Sequence, residues 1–72
     1  MYRAHMLGIK QKDLALAMDI VLKHESDFDK ITRSVYKENT GETIIIFKFH
    51  PFVYEDFEKI RDEFIKAGIQ TL

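Results

Sequence analysis

Thr43-Ile44-Ile45-Ile46-Phe47-Lys48-Phe49-His50 is the most apolar run in the chain, set between the turn-forming Glu38-Asn39-Thr40-Gly41 and Pro51. β-Branched and aromatic residues fit a pleated surface, and turn residues bound the run on one side. Proline bounds it on the other, because it cannot donate to a central ladder. The stretch therefore predicts a strand at the middle of a sheet, and the other elements are placed relative to it.

Phe28 to Lys37 reads as the strand before it. A three-residue loop, Asn39-Thr40-Gly41, suits a type I turn followed by a glycine in the left-handed region. That loop sets Glu38 opposite Glu42, Val35 opposite Ile45, Arg33 opposite Phe47 and Ile31 opposite Phe49. A one-residue slip would pair Ser34 with Ile45 and Thr32 with Phe47, mixing polar and apolar on every face. The preferred register buries Ile31, Val35, Ile45, Phe47 and Phe49. It turns Thr32, Ser34, Tyr36, Ile44, Ile46 and Lys48 to the other side. Arg33 is the awkward member of the buried set, accommodated if its stem packs and its head reaches water.

Downstream of Pro51, Val53, Phe57, Ile60, Phe64 and Ala67 make one apolar helical stripe over Val53 to Ala67. Its opposite face is charged, with Glu55–Lys59 and Asp62–Lys66 at i, i+4 spacing, and Gly68 and Ile69 follow as a C-terminal cap. Upstream, Leu14, Ala17, Met18, Val21 and Leu22 share a face of a helix running from Lys10 to about His24, with Leu16 and Ile20 widening it. Such a stripe is read as core before it is read as a pocket. Tyr2 to Ile9 alternates imperfectly and predicts a short first strand. Ile69 to Leu72 is long enough for a short last one.

The order β-α-β-β-α with a final β resembles the ferredoxin-like, or split βαβ, plan: an α+β domain whose antiparallel sheet carries two helices on one face. This is a resemblance of fold, and many functions share the plan. Seventy-two residues hold a single small domain with one core. Such a core supplies only about 3–5 kcal/mol of net stability, which favours partners or a regular fold.

The totals narrow the function further. Eleven basic and twelve acidic residues give a net charge of −1, without the basic excess of a dedicated nucleic-acid binder. Cysteine is absent, so no disulfide or thiolate metal site forms. Neither a signal peptide nor an apolar span of membrane length is evident, and the expected location is cytoplasmic.

No catalytic constellation emerges. Ser26 and Ser34 lack a paired base, and Gly8, Gly41 and Gly68 stand alone rather than in a phosphate loop. His5 and His50 lack further convergent ligands for a metal, and His24 reads as a solvated residue near a helix C-terminus. No enzyme, cofactor or metal is expected. With both helices on one side, the opposite face carries Ile44, Ile46, Tyr36 and, in this reading, Leu7, with Arg3, His5, Lys48 and His50 at its polar end. Apolar patches of this kind mark interfaces. The expected function is a non-catalytic regulatory or protein–protein interaction module that docks another protein or a second copy of itself. Arg3, His5, Tyr36, Ile44, Ile46, Lys48 and His50 are its binding residues. Single-stranded RNA binding on the same face is the alternative, although the run lacks the glycine and leading basic residue of an RNA-recognition motif. Small-molecule sensing is a third reading, by analogy of fold.

Overall fold

The structure is a computed structural model that describes residues 5–72, so Arg3 and the first part of the expected opening strand lie outside the described residues. The described residues form an α+β arrangement of three antiparallel strands and two α-helices. β1 (His5–Lys10) leads into α1 (Leu14–His24), followed by β2 (Phe28–Lys37), β3 (Thr43–Pro51) and α2 (Tyr54–Lys66). The sheet order is β1-β3-β2, which makes β3 the central strand.

The β2–β3 register is the one the loop requires. Val35 lies opposite Ile45, Arg33 opposite Phe47 and Ile31 opposite Phe49. Glu38 N–H donates to Glu42 O and Gly41 N–H to Glu38 O, both at 2.8 Å. Gly41 takes φ 88°, a conformation that costs a residue with a Cβ and costs glycine nothing.

Between Phe28 and Lys30 the register shifts: Phe28 faces Pro51 and Lys30 faces His50, leaving Asp29 as the extra residue of a bulge. Without it Phe28 would point away from the helices. With it, Phe28 is buried and its ring lies 5.3 Å from that of Phe49.

Phe47 and Phe49 are fully buried beneath the helices, joined by Leu7 and Ile9 of β1, Ile45 of β3, Ala17 and Val21 of α1, and Phe57, Ile60 and Phe64 of α2. The rings form a connected set. Phe49 reaches Phe57 at 5.9 Å, Phe47 reaches Phe49 at 6.0 Å and Phe64 at 6.2 Å. Such aromatic pairs add to the area term of burial.

Several sequence expectations are corrected here. Val35 lies on the helix side but is 64% exposed, because β2 runs on past the cover of the helices. Leu7 belongs to the core and not to the opposite face. α1 begins at Leu14, after a 3₁₀ turn at Gln11–Asp13, and Leu22 of the expected stripe is exposed. α2 keeps Phe57, Ile60 and Phe64 as its buried stripe but leaves Val53 and Ala67 outside it.

The end of α2 follows its sequence signal closely. Gly68 takes φ 83°, Gly68 N–H donates to Ile65 O, and Ile69 N–H donates to Phe64 O, both at 3.0 Å. This is a Schellman closure, and it turns Ile69 into the core. The expected fourth strand does not form. The chain after Ile69 instead reaches β1 at Leu72, whose N–H donates to Gly8 O at 2.8 Å.

Truncating Phe49 to alanine is expected to cost about 3–5 kcal/mol, comparable to the whole stability of a domain this small. Urea denaturation should therefore show Phe49→Ala largely unfolded in buffer, while Val35→Ala stays within about 0.5 kcal/mol of the parent. Equal effects at the two positions would contradict the assignment of faces.

Candidate functional site

The face of the sheet away from the helices is built in rows across the three strands. Lys10, Ile44 and Tyr36 form one row, and Gly8, Ile46 and Ser34 the next. Met6, Lys48 and Thr32 follow, and His50 and Lys30 close the face at the far end. Tyr36, Ile44, Ile46, Lys48 and His50 of the expected set therefore do share this surface. His5 does not. It pairs with Phe49 and points to the helix side, where its imidazole stacks on Phe57 at 4.8 Å and meets the edge of Tyr54 at 5.0 Å.

The isoleucines are less bare than the pattern implied. Ile44 is only 6% exposed, even though no helix covers it. Lys10 lies opposite it in the ladder, and its ammonium reaches Glu42 at 3.5 Å. Ile46 is half-buried between Gly8, which has no side chain, and the small Ser34, which together leave it a shallow trough. The apolar exposure sits around this trough: Met6 is 58% exposed, Tyr36 52% and Leu72 60%. Leu72 Cβ comes within 3.5 Å of where a Cβ on Gly8 would stand.

Charge on this face is one-sided. Lys30, Lys48 and His50 occupy adjacent positions at one end, and Glu42, already engaged by Lys10, lies at the other. A chain that is nearly neutral overall thus presents a cationic, partly apolar sheet face.

Met6, Lys30 and Leu72 belong to this surface but were absent from the sequence reading. For Met6 and Lys30 the signal was parity relative to Ile46. No loop chemistry fixed it for β1, which meets β3 only across α1 and β2, whereas for Lys30 it follows from the same register that places Thr32 and Ser34 on this face.

A second polar cluster joins the helices. His24, at the end of α1, directs Nε2 at the Glu63 carboxylate of α2, which is its partner there. Its Nδ1 lies 3.5 Å from Asp27 Oδ2. Lys23 Nζ meets Glu63 Oε1 at 2.9 Å. The Lys23 ammonium, bonded to the carboxylate, holds Glu63 below its ordinary pKa of 4.5, with the charges of His24, Lys23 and Lys66 adding to the effect and desolvation opposing it. His24 is therefore a tie between helices rather than a solvated residue. On the outer side of α2, Arg61 approaches Glu58 at 3.8 Å, whereas the expected Glu55–Lys59 and Asp62–Lys66 pairs do not close.

Among the described residues, no group of three His, Asp or Glu side chains converges as a metal site, and no helix is long and apolar enough to cross a membrane. No protein-family model, curated protein or solved structure matches the chain.

Because the folded pKa of Glu63 is depressed, its contribution is fully present above the unfolded carboxyl value and is lost as pH falls through the folded one. Glu63→Gln is thus expected to lower the thermal midpoint near neutral pH, with the gap from the parent closing as the medium is acidified below pH 4.5. A gap that persists unchanged into acid would show that the carboxylate charge does not link the helices.

Proposed function

We propose that this chain is a non-catalytic interaction module that docks another protein through the helix-free face of its sheet. One observation carries the reading: Met6, Tyr36 and Leu72 stand more than half exposed around the half-buried Ile46, on a surface that no helix covers. Apolar side chains clustered beside a cationic rim match an interface centre with a polar margin. Lys30, Lys48 and His50 favour a partner that offers carboxylates, and they weigh against face-to-face pairing with a second copy, which would oppose like charges.

We read the arrangement as a ferredoxin-like plan whose last strand is reduced to the segment beside β1. The element order, the central position of β3 and the Leu72–Gly8 hydrogen bond support that reading. A regulatory role in the cytoplasm accords with it. RNA binding is the weaker reading. It needs exposed aromatics on the central strand, whereas Phe47 and Phe49 lie in the core and Tyr36 is the exposed aromatic of this face. Small-molecule sensing rests on the fold analogy alone.

Ile46→Asp leaves the helix-side core untouched and is expected to lower the thermal midpoint by several degrees, with the amide spectrum still folded, while abolishing partner capture. Lys48→Glu should reduce capture of the same partner. Light scattering of the purified chain should give the mass of a monomer, and binding to single-stranded RNA should be absent at moderate salt. Undiminished capture by Ile46→Asp, or RNA binding that falls steeply with salt, would replace this reading.

A further inference from the structure

β2 is an open edge of the sheet, and a groove runs along it. Glu38 N–H bonds to Glu42 O, so the even-numbered residues of β2 pair with β3. The alternation then aims the N–H and C=O groups of Ile31, Arg33 and Val35 away from the sheet. At the opposite edge, the outward carbonyl of Gly8 is taken by Leu72. Nothing among the described residues does the same for β2.

Between this edge and the outer flank of α1 lies a groove of about 290 Å³, floored by Val21, Ile31 and Phe47 and walled by Met18 and Leu22. Arg33 leans over it, with a guanidinium nitrogen 3.7 Å from the Met18 sulfur. Glu25, from the turn between α1 and β2, also lines it.

We propose that this edge and groove bind an extended acidic peptide segment as an added strand, antiparallel to β2. The proposal concerns a surface separate from the helix-free face and stands independently of that reading. An added strand takes up the free backbone groups, and every second side chain turns toward α1. Those side chains meet Ile31, Arg33 and Val35 in turn. The matching pattern is apolar, any residue, Asp or Glu, any residue, apolar. The apolar position over Ile31 enters the groove, where Glu25 disfavours an acid. The central carboxylate meets Arg33, and the last apolar residue covers Val35, which is otherwise 64% exposed.

Charge selects this occupant over a second copy of the chain. β2 carries Lys30, Arg33 and Lys37 against Asp29 alone. The self-pairing that matches Ile31 with Val35 would set Arg33 against its own counterpart, and like charges directly opposed destabilise a sheet.

The test titrates the full chain into a fluorescein-labelled, blocked peptide Thr-Leu-Thr-Glu-Thr-Val-Thr and follows anisotropy. Saturable binding is expected. Replacing the glutamate of the peptide by lysine should weaken it by about fivefold to tenfold, and Arg33→Glu should reverse that preference. Val35→Pro removes an outward N–H without touching the β3 ladder, so it should abolish binding while the amide spectrum stays folded. Should that variant unfold, methylating the glutamate amide of the peptide provides the same block from the other side. Methyl resonances of Leu22, Ile31 and Val35 should shift, and those of Met6 and Ile46 should not. Absence of saturable binding, equal affinity for the lysine peptide, or shifts confined to Met6 and Ile46 would overturn the proposal.

Discussion

The sidedness of β3 is the constraint on which the molecule depends. A strand has two faces, and TIIIFKFH commits one of them to aromatic burial. Phe47 and Phe49 occupy alternate positions, so both turn to the same side, and the rings of Phe28, Phe57 and Phe64 gather on them from β2 and α2. Rotating β3 by one position would expose both rings and bury Lys48, at a cost beyond what a domain of this size can sustain. Both helices follow the aromatics, and the opposite face is left with whatever the even-numbered residues supply.

The small size of the chain makes its end-closures weigh more than they would in a larger domain. α2 finishes in a backbone closure that uses Gly68 for its conformation and Ile69 for its burial, so one turn both satisfies carbonyls and extends the core. α1 has no comparable cap. It ends instead in side-chain ties, Lys23 and His24 to Glu63 and His24 to Asp27, which fasten its last turn to α2. Both helices are held by the core, but their last turns are closed differently, α2 by backbone geometry and α1 by polar side chains.

Much of the architecture is readable from local chemistry. The loop Asn39-Thr40-Gly41 determines its own hydrogen bonds and, through them, the full register of β2 on β3. The periodicity of Phe57, Ile60 and Phe64 determines which side of α2 is covered, and Gly68 determines where it stops. What escapes the sequence depends on distance. No turn links β1 to β3, so the parity of His5, Met6 and Leu7 is settled only by tertiary packing, which turned His5 and Leu7 inward and Met6 outward. The bulge at Asp29 has no mark of its own, since aspartate there is as compatible with an ordinary loop boundary. The reach of β2 beyond the helices, which exposes Val35, depends on how far α1 extends over the sheet, a quantity that no residue of β2 encodes. The burial of Ile44 likewise depends on the neighbour that the β1–β3 register supplies, Lys10, which no apolar pattern marks.

The two rims of the sheet are unequal, and the inequality sets a limit on growth. At β1, Leu72 takes the outward carbonyl of Gly8 and sets its side chain beside that glycine. The β2 rim remains available for one more ladder. An occupied outward carbonyl at one rim and unpaired outward groups at the other give the sheet a direction across its strands, so among the described residues the two rims would not grow alike.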